Sequence, residues 1–280
     1  MRIRILNSDS FGVRSMATVV EIKGHKILID PGAALGPYRY GLEPAPIEVE
    51  ELEKAHELIE KEADDATHII ITHYHYDHYT PEAEYYKGKT LIIKHPEKNI
   101  NRSQFGRAKI FLKNLEELGV NPIKTNEGVF KLEENIEIEL SPPMPHGPKG
   151  TRLGYVLMVY IIDRESSENF LFTSDVQGPI FEGALSWILD RKPSIVFLDG
   201  PATYLGGYKR SMKNIAEGLK NLKIIAQNVK KLVADHHMGR DIKFHEYITG
   251  FENIMSAASF MGYQERFLEA RRKELWELTE

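Results

Sequence analysis

Thr72-His73-Tyr74-His75-Tyr76-Asp77-His78-Tyr79-Thr80-Pro81 places four potential metal ligands within six residues, in the pattern His-x-His-x-Asp-His. The preceding His68-Ile69-Ile70-Ile71 is a β-branched run that predicts a buried strand. Thr80-Pro81 reads as an N-cap followed by proline at the first helical position, which predicts a short helix over 81–87 ended by Gly88. The ligands therefore fall where a strand ends and a helix begins. On an extended chain alternate side chains project the same way, so His73 and His75 can grip one ion together. The chain then turns, and Asp77 and His78 can face a different point. One His pair plus one Asp-His pair predicts two metals. A lone histidine is usually surface decoration or a satisfied core residue. Three histidines and an aspartate at one strand end, in a chain with only eleven histidines, are much harder to explain that way.

Composition narrows the chemistry. The 280 residues suffice for a substantial core, and 42% hydrophobic with 28% charged residues is ordinary for a globular protein. The net charge of −5 gives no support for wholesale binding of long nucleic acids or anionic membranes. No apolar run is long enough to span a bilayer and no signal-peptide core begins the chain, so a cytoplasmic protein is expected. The chain has no cysteine, which excludes disulfides and thiolate ligands. Histidine and carboxylate must hold any metal, a donor set that suits Zn, Fe or Mn. Few Gln, no Cys and many Glu, Lys and Ile point to a thermophilic source.

Outward from the motif, other strand ends carry chemistry. Residues 2–7 read as a strand, and 17–23 with 26–30 as a hairpin turning at Gly24-His25. That hairpin ends in Asp30-Pro31-Gly32. Asp30 is equally well read as a turn-forming residue or as a carboxylate supporting the metals. Residues 33–46 form a Gly-, Pro- and Tyr-bearing loop. Residues 47–63 form an amphipathic helix on which His56 is a surface residue. A strand over 90–94, an irregular segment over 95–108 and a helix over 109–118 follow. Strands over 129–132 and 136–140 lead into Ser141-Pro142-Pro143-Met144-Pro145-His146-Gly147-Pro148. Four prolines stiffen this loop, a good mount for a ligand, and beside the first motif His146 is read as one. A hairpin over 153–163 and 169–173 ends in Thr173-Ser174-Asp175. Asp175 can bridge two cations, against the plainer reading of a helix cap. Strands over 194–198 and 231–234 end in Asp199-Gly200-Pro201 and in Asp235-His236-His237-Met238-Gly239-Arg240-Asp241, separated by an amphipathic helix over 211–230. The tail, 244–280, reads as helical throughout, broken near Gly262, and as a C-terminal extension packed on a single domain spanning 1–280.

With His73, His75, Asp77, His78, His146, Asp175 and the His236-His237 pair in this order, the sequence resembles the metallo-β-lactamase-fold superfamily of hydrolases. The wording Asp-Ser-Phe-Gly-Val-Arg-Ser-Met-Ala, with Asp-His-His-Met-Gly-Arg-Asp, resembles an archaeal group of predicted metal-dependent hydrolases within it. The resemblance covers about Leu6 to His237. It implies an α/β fold, a four-layer αββα sandwich of two mixed sheets, here with extra C-terminal helices. It also implies that His73, His75 and His146 hold one metal, that Asp77, His78 and a late histidine hold the second, and that Asp175 bridges them. His236 is preferred as the late histidine, with His237 the runner-up. Asp30 matches the superfamily's early strand-end aspartate.

The expected activity is hydrolysis by a binuclear centre of two divalent metal ions, Zn foremost and Mn or Fe the alternatives. The centre activates a bridging hydroxide, with Asp77 as the catalytic proton acceptor. No Gly-x-Ser-x-Gly elbow suggests a protein nucleophile. A phosphodiester or phosphate ester of a nucleotide or RNA is the leading substrate. Arg14, Arg102, Arg107, Arg152 and Arg240 are candidate phosphate-binding residues, with Tyr204 near the mouth, although surface charge is the commoner fate of an arginine. The alternatives are a lactone, thioester or amide hydrolase and a di-iron redox protein on the same ligands. A small-molecule or nucleotide substrate is the expected partner, no membrane partner is expected, and the oligomeric state is not set by the sequence.

Overall fold

A computed structural model describes residues 1–207 and 209–278. Its first sheet runs β1 (Arg2–Ile5), β2 (Thr18–Ile22), β3 (His25–Ile29), β4 (His68–Ile71), β5 (Thr90–Lys94) and β6 (Ile123–Thr125), in sequence order across the sheet. β1 to β3 are antiparallel and β3 to β6 parallel. The second sheet contains β7 (Gly128–Lys131) and β8 (Ile136–Leu140). After a small ribbon of β9 (Met144–Pro145) and β10 (Tyr155–Val156), it continues with β11 (Val159–Asp163), β12 (Asn169–Phe172), β13 (Ile195–Leu198), β14 (Lys231–Ala234) and β15 (Ile254–Met255). The order across this sheet is β15-β14-β13-β12-β11-β8-β7, parallel from β12 to β15 and antiparallel from β12 to β7.

Strand periodicity builds the layers. In β4, Ile70 faces the space between the sheets, while Ile69 and Ile71 face helices α1 (Pro46–Ala63) and α2 (Arg102–Glu117). In β12 and β13, Phe170, Phe172 and Phe197 enter the inter-sheet core. Leu171, Val196 and Leu198 instead pack on helices α3 (Glu182–Asp190) and α4 (Lys209–Ala226). Both faces of each sheet are covered, giving the expected αββα sandwich.

Several local expectations are corrected. Thr80-Pro81 caps no helix: a single 3-10 turn covers Glu84–Tyr86, and the Thr80 hydroxyl donates to Pro31 O. Helix α2 starts within the segment expected to be irregular, because the Asn101 side chain accepts from Gln104 N and caps it. His56 is half-buried rather than on the surface. The expected strand over 153–163 is split between β10 and β11. The tail is not continuous helix. Short helices α5 (Phe244–Ile248), α6 (Ala257–Met261) and α7 (Arg272–Glu277) alternate with loops and with β15, which adds to the edge of β14. The last two tail residues, 279 and 280, lie outside the described residues.

That tail fastens the loop before α1. Arg272 is buried and forks onto Glu48 (2.7 and 2.8 Å), and it also donates to Leu42 O. Tyr40 Oη donates to Ala270 O, and Glu269 takes both Nε and Nη2 of Arg14.

Candidate metal centre

The parallel strands of both sheets end at one edge of the sandwich, where open α/β sheets carry their sites. β3 delivers Asp30, β4 the motif, β12 Asp175, β13 Asp199, and β14 Asp235, His236 and His237. The ribbon places His146, whose backbone N–H donates to Gly154 O. Asp30, Ser174 and His236 each follow a strand directly or nearly so, and all have left-handed backbone (φ 49°, 54° and 47°). This conformation costs a non-glycine residue on the order of 1 kcal/mol and clusters at functional sites. Gly32 is required for a different reason. A Cβ there would lie 2.1 Å from Tyr79 N, so only glycine lets this loop touch the turn of the motif.

Four overlapping groups of ligand atoms result; two match the expected ion positions, and the others are Asp30, His73 and His78, and Asp175, His236 and His237. His73, His75, His146 and Asp175 bring one atom each to within 4.8 Å of one another, as do Asp77, His78 and His236. In the first group, His73 Nε2 lies 3.0 Å from His75 Nδ1, and His146 Nε2 lies 2.9 Å from Asp175 Oδ2. In the second, His236 Nε2 lies 3.5 Å from Asp77 Oδ2. Asp175 reaches both: Oδ2 faces the first group, while Oδ1 lies 3.2 Å from His78 Nε2 and 3.6 Å from His236 Nε2. Of the two late histidines, His236 meets Asp77 and His78. His237 points its Nε2 to within 3.9 Å of Asp175 Oδ2 and lines the cavity above.

The far ring nitrogens are tied, which fixes ring orientation. His78 Nδ1 pairs with Asp30 Oδ2 (2.8 Å), His236 Nδ1 with Asp9 Oδ2 (2.9 Å), and His237 Nδ1 with Asp199 Oδ2 (2.8 Å). His73 Nδ1 lies 3.3 Å from Ser174 Oγ. The Asp30 carboxylate accepts from both Thr72 N and Thr72 Oγ1, so it stands behind the motif. The sequence reading named no role for Asp9 or Asp199. Asp199 carries a strand-end signal of the kind that marked Asp175; Asp9 carries none, since its partner is 227 residues away.

Burial and charge compete across the cluster. Burial pushes the His73 imidazole well below its usual pKa and, with His146 nearby, brings His75 to about 4. Burial also disfavours charge on His78, but Asp175 and Asp30 outweigh it and raise its pKa well above the usual value. Burial would raise Asp77, yet His78, His236 and Arg240 hold its carboxyl far below the usual carboxylate range. The cluster opens into a cavity of about 560 Å³ lined by Arg14, Arg107, Arg240, Tyr76 and Tyr204, among others. Arg102 and Arg152, also expected as phosphate ligands, are not among its lining residues.

The family model described as the metallo-beta-lactamase superfamily matches residues 11–226. The chain belongs to this superfamily. Within it, the UPF0282 protein of Methanopyrus kandleri is 42% identical over 292 residues, covering 98% of this chain and 99% of that one. The UPF0282 protein of Korarchaeum cryptofilum is 43% identical over 288 residues, covering 99% and 95%. Among solved structures, a possible metal-dependent hydrolase from Veillonella parvula is similar in fold (TM-score 0.52, 14% identity, 91% and 94% coverage). So is the short form of human tRNase Z (TM-score 0.51, 13% identity, 84% and 92% coverage). Superfamily membership and the His/Asp groups together make the protein a metal-dependent hydrolase. No helix among the described residues is long and apolar enough to cross a membrane.

Proposed function

We propose that the protein hydrolyses a phosphodiester or phosphate ester, of nucleotide or RNA type, with two divalent cations, Zn first among them. His73, His75 and His146 would hold one cation, Asp77, His78 and His236 the other, and Asp175 would serve both. The fit rests on donor chemistry: His78 Nε2 and Asp175 Oδ1 are buried, face each other at 3.2 Å and make no well-formed hydrogen bond, an arrangement a shared cation would suit. The all-nitrogen-and-oxygen donor set suits Zn, Mn or Fe. When bound, such cations supply Lewis acidity, lowering the pKa of water and stabilising charge on the attacked oxygen.

The chain's own residues do the rest. Asp77, which His78, His236 and Arg240 hold ionised, would accept a hydrogen bond from the attacking water and serve as the acceptor for its proton, although the same positive charges lower its basicity. Asp30, Asp9 and Ser174 hold three ligand rings in place from behind. Nothing in the cavity resembles an activated serine or cysteine, and the chain has no cysteine. The observation that carries the phosphate reading is the cavity wall. Three arginines, Arg14, Arg107 and Arg240, line it, more positive charge than one phosphoryl group needs, and guanidinium groups match phosphate oxygens in charge and shape.

The test is metal analysis of purified protein together with turnover of bis(p-nitrophenyl) phosphate under added Zn or Mn. About two metals per chain and metal-dependent turnover are expected, with turnover lost in a folded His75→Ala protein. Retained turnover in that variant sinks the assignment. Metal without phosphodiester turnover transfers the site to lactone, thioester or amide substrates. Bound iron with a visible absorption band and no hydrolysis replaces both with the di-iron redox reading.

A further inference from the structure

We infer that Arg14 and Arg240 form a subsite for a second anionic group of the substrate, distinct from the phosphoryl group that is cut. This deepens the phosphate-ester reading and rests on it. The substrate class it names is a phosphate ester that carries a further phosphate, as a nucleoside bisphosphate or an oligonucleotide end does.

Arg14 comes from the loop after β1 and Arg240 from the turn after the late histidines, yet both line the one cavity. Each is fixed by a carboxylate that lines no part of it. Glu269 takes Arg14 Nε and Nη2 at 2.5 and 2.6 Å. Asp9 takes Arg240 Nε at 2.9 Å, while Nη2 of Arg240 lies 3.0 Å from His236 Nε2. Among the described residues no hydrogen bond engages Nη1 of either guanidinium. Each therefore keeps its Nη1 donors uncommitted, and the carboxylates serve orientation.

Their setting is rigid. The guanidinium of Arg39 lies between the rings of Tyr40 (4.6 Å) and Tyr204 (4.9 Å) and donates to Arg240 O. Gly36 passes so close to Arg14 that a Cβ would sit 2.3 Å from its Nη2. A prearranged pair of guanidiniums loses little side-chain entropy on binding and can take two oxygens of one phosphate in a fork. The cations in the floor would engage the ester being cut. The arginine pair, on the wall, would take a second anion of the same molecule.

A plainer reading is that Arg14 only fastens the tail through Glu269. Glu269→Gln and Arg14→Met separate the two, because both break the latch but only the second removes the guanidinium. Full-length protein, with the metal it carries as purified, is titrated by calorimetry with thymidine 3′,5′-bisphosphate and with thymidine 5′-monophosphate. The bisphosphate is expected to bind about tenfold tighter to the wild type. That advantage should persist in Glu269→Gln, shrink in Arg14→Lys and vanish in Arg14→Met. Equal affinity of the two nucleotides for the wild type overturns the subsite, and so does an equal loss in Glu269→Gln and Arg14→Met. Turnover of bis(p-nitrophenyl) phosphate, which carries no second phosphate, reports on the hydrolase reading separately. Turnover without a bisphosphate advantage overturns the subsite alone. A bisphosphate advantage without turnover keeps the anion site and overturns the esterase.

Discussion

His78 and Asp30 face each other across two strand ends, Nδ1 to Oδ2 at 2.8 Å, and both are fully buried. Asp30 adopts a left-handed backbone to make that contact and also accepts two hydrogen bonds from Thr72. The pair leaves His78 Nε2 pointing at Asp175 with no hydrogen-bond partner. Asp30→Asn keeps the shape but removes the charge and replaces one acceptor oxygen with a donor NH2. The expected outcome is a folded protein whose metal affinity falls about 10–100-fold, read by metal titration after dialysis against a chelator. Unchanged affinity would detach Asp30 from the centre.

His236 and His237 differ in what they face. Loss of His236 removes a nitrogen beside Asp77 and His78, so His236→Ala should lower metal content by about one equivalent per chain. His237→Ala should keep the metal and instead weaken substrate binding, since His237 lines the cavity and leans on Asp199. Metal analysis and KM measured on both variants decide between them, and the reverse pattern would exchange their roles.

Gly32 touches the backbone at Tyr79. Gly32→Ala must push the His78-Tyr79 turn away, which should cost more than about 2 kcal/mol and lower metal content together. A variant with a wild-type melting curve and full metal would show that the turn yields without cost.

Arg272 and Glu48 form a buried two-bond ion pair that ties the tail to α1. Arg272→Met leaves Glu48 buried and unpaired, a change that costs about 3–5 kcal/mol. Chemical denaturation would read this, and Glu48→Gln added to Arg272→Met should recover part of it. The same loss in the double variant would mean that the charge of Glu48 is not the source.

Glu62 hydrogen-bonds to Arg4, which with Lys26 brings its carboxyl down to about 2 against an opposing effect of burial. A carboxyl with a lowered folded-state pKa stabilises the fold above its ordinary value of 4.5, and the contribution is lost as pH falls towards 2. Melting temperature should therefore fall between those pH values, and less steeply in Glu62→Gln. Parallel curves would refute the assignment.

Much of the site was legible because its donors follow recognisable strands. The Ile69-Ile70-Ile71 run marks β4, and the His-x-His-x-Asp-His motif follows at once. The stiff loop before His146 and the strand end before Asp175 carried similar local signals. The start of α2 does not stand out in the polar 95–108 segment, and its signal is the Asn101 side chain, which accepts from Gln104 N and caps the first turn. The tail reads as helix, but it holds a strand. Ile254 and Met255 instead satisfy the open edge of β14.

The sequence alone determined the donor types, their local order and that His68–Ile71 is a buried strand with alternating faces. These follow from spacing along a strand, which a linear chain encodes directly. The structure then sets Ile70 between the sheets and Ile69 and Ile71 against the helices. The tertiary structure sets His236, the preferred late histidine, beside Asp77 and His78, and only it puts Asp9 behind His236. It alone set Arg14 and Arg240 on one wall, with Glu269 behind the first. Those relations join residues more than 150 positions apart, and they exist only once burial of the three cores has brought the strand ends to a common edge.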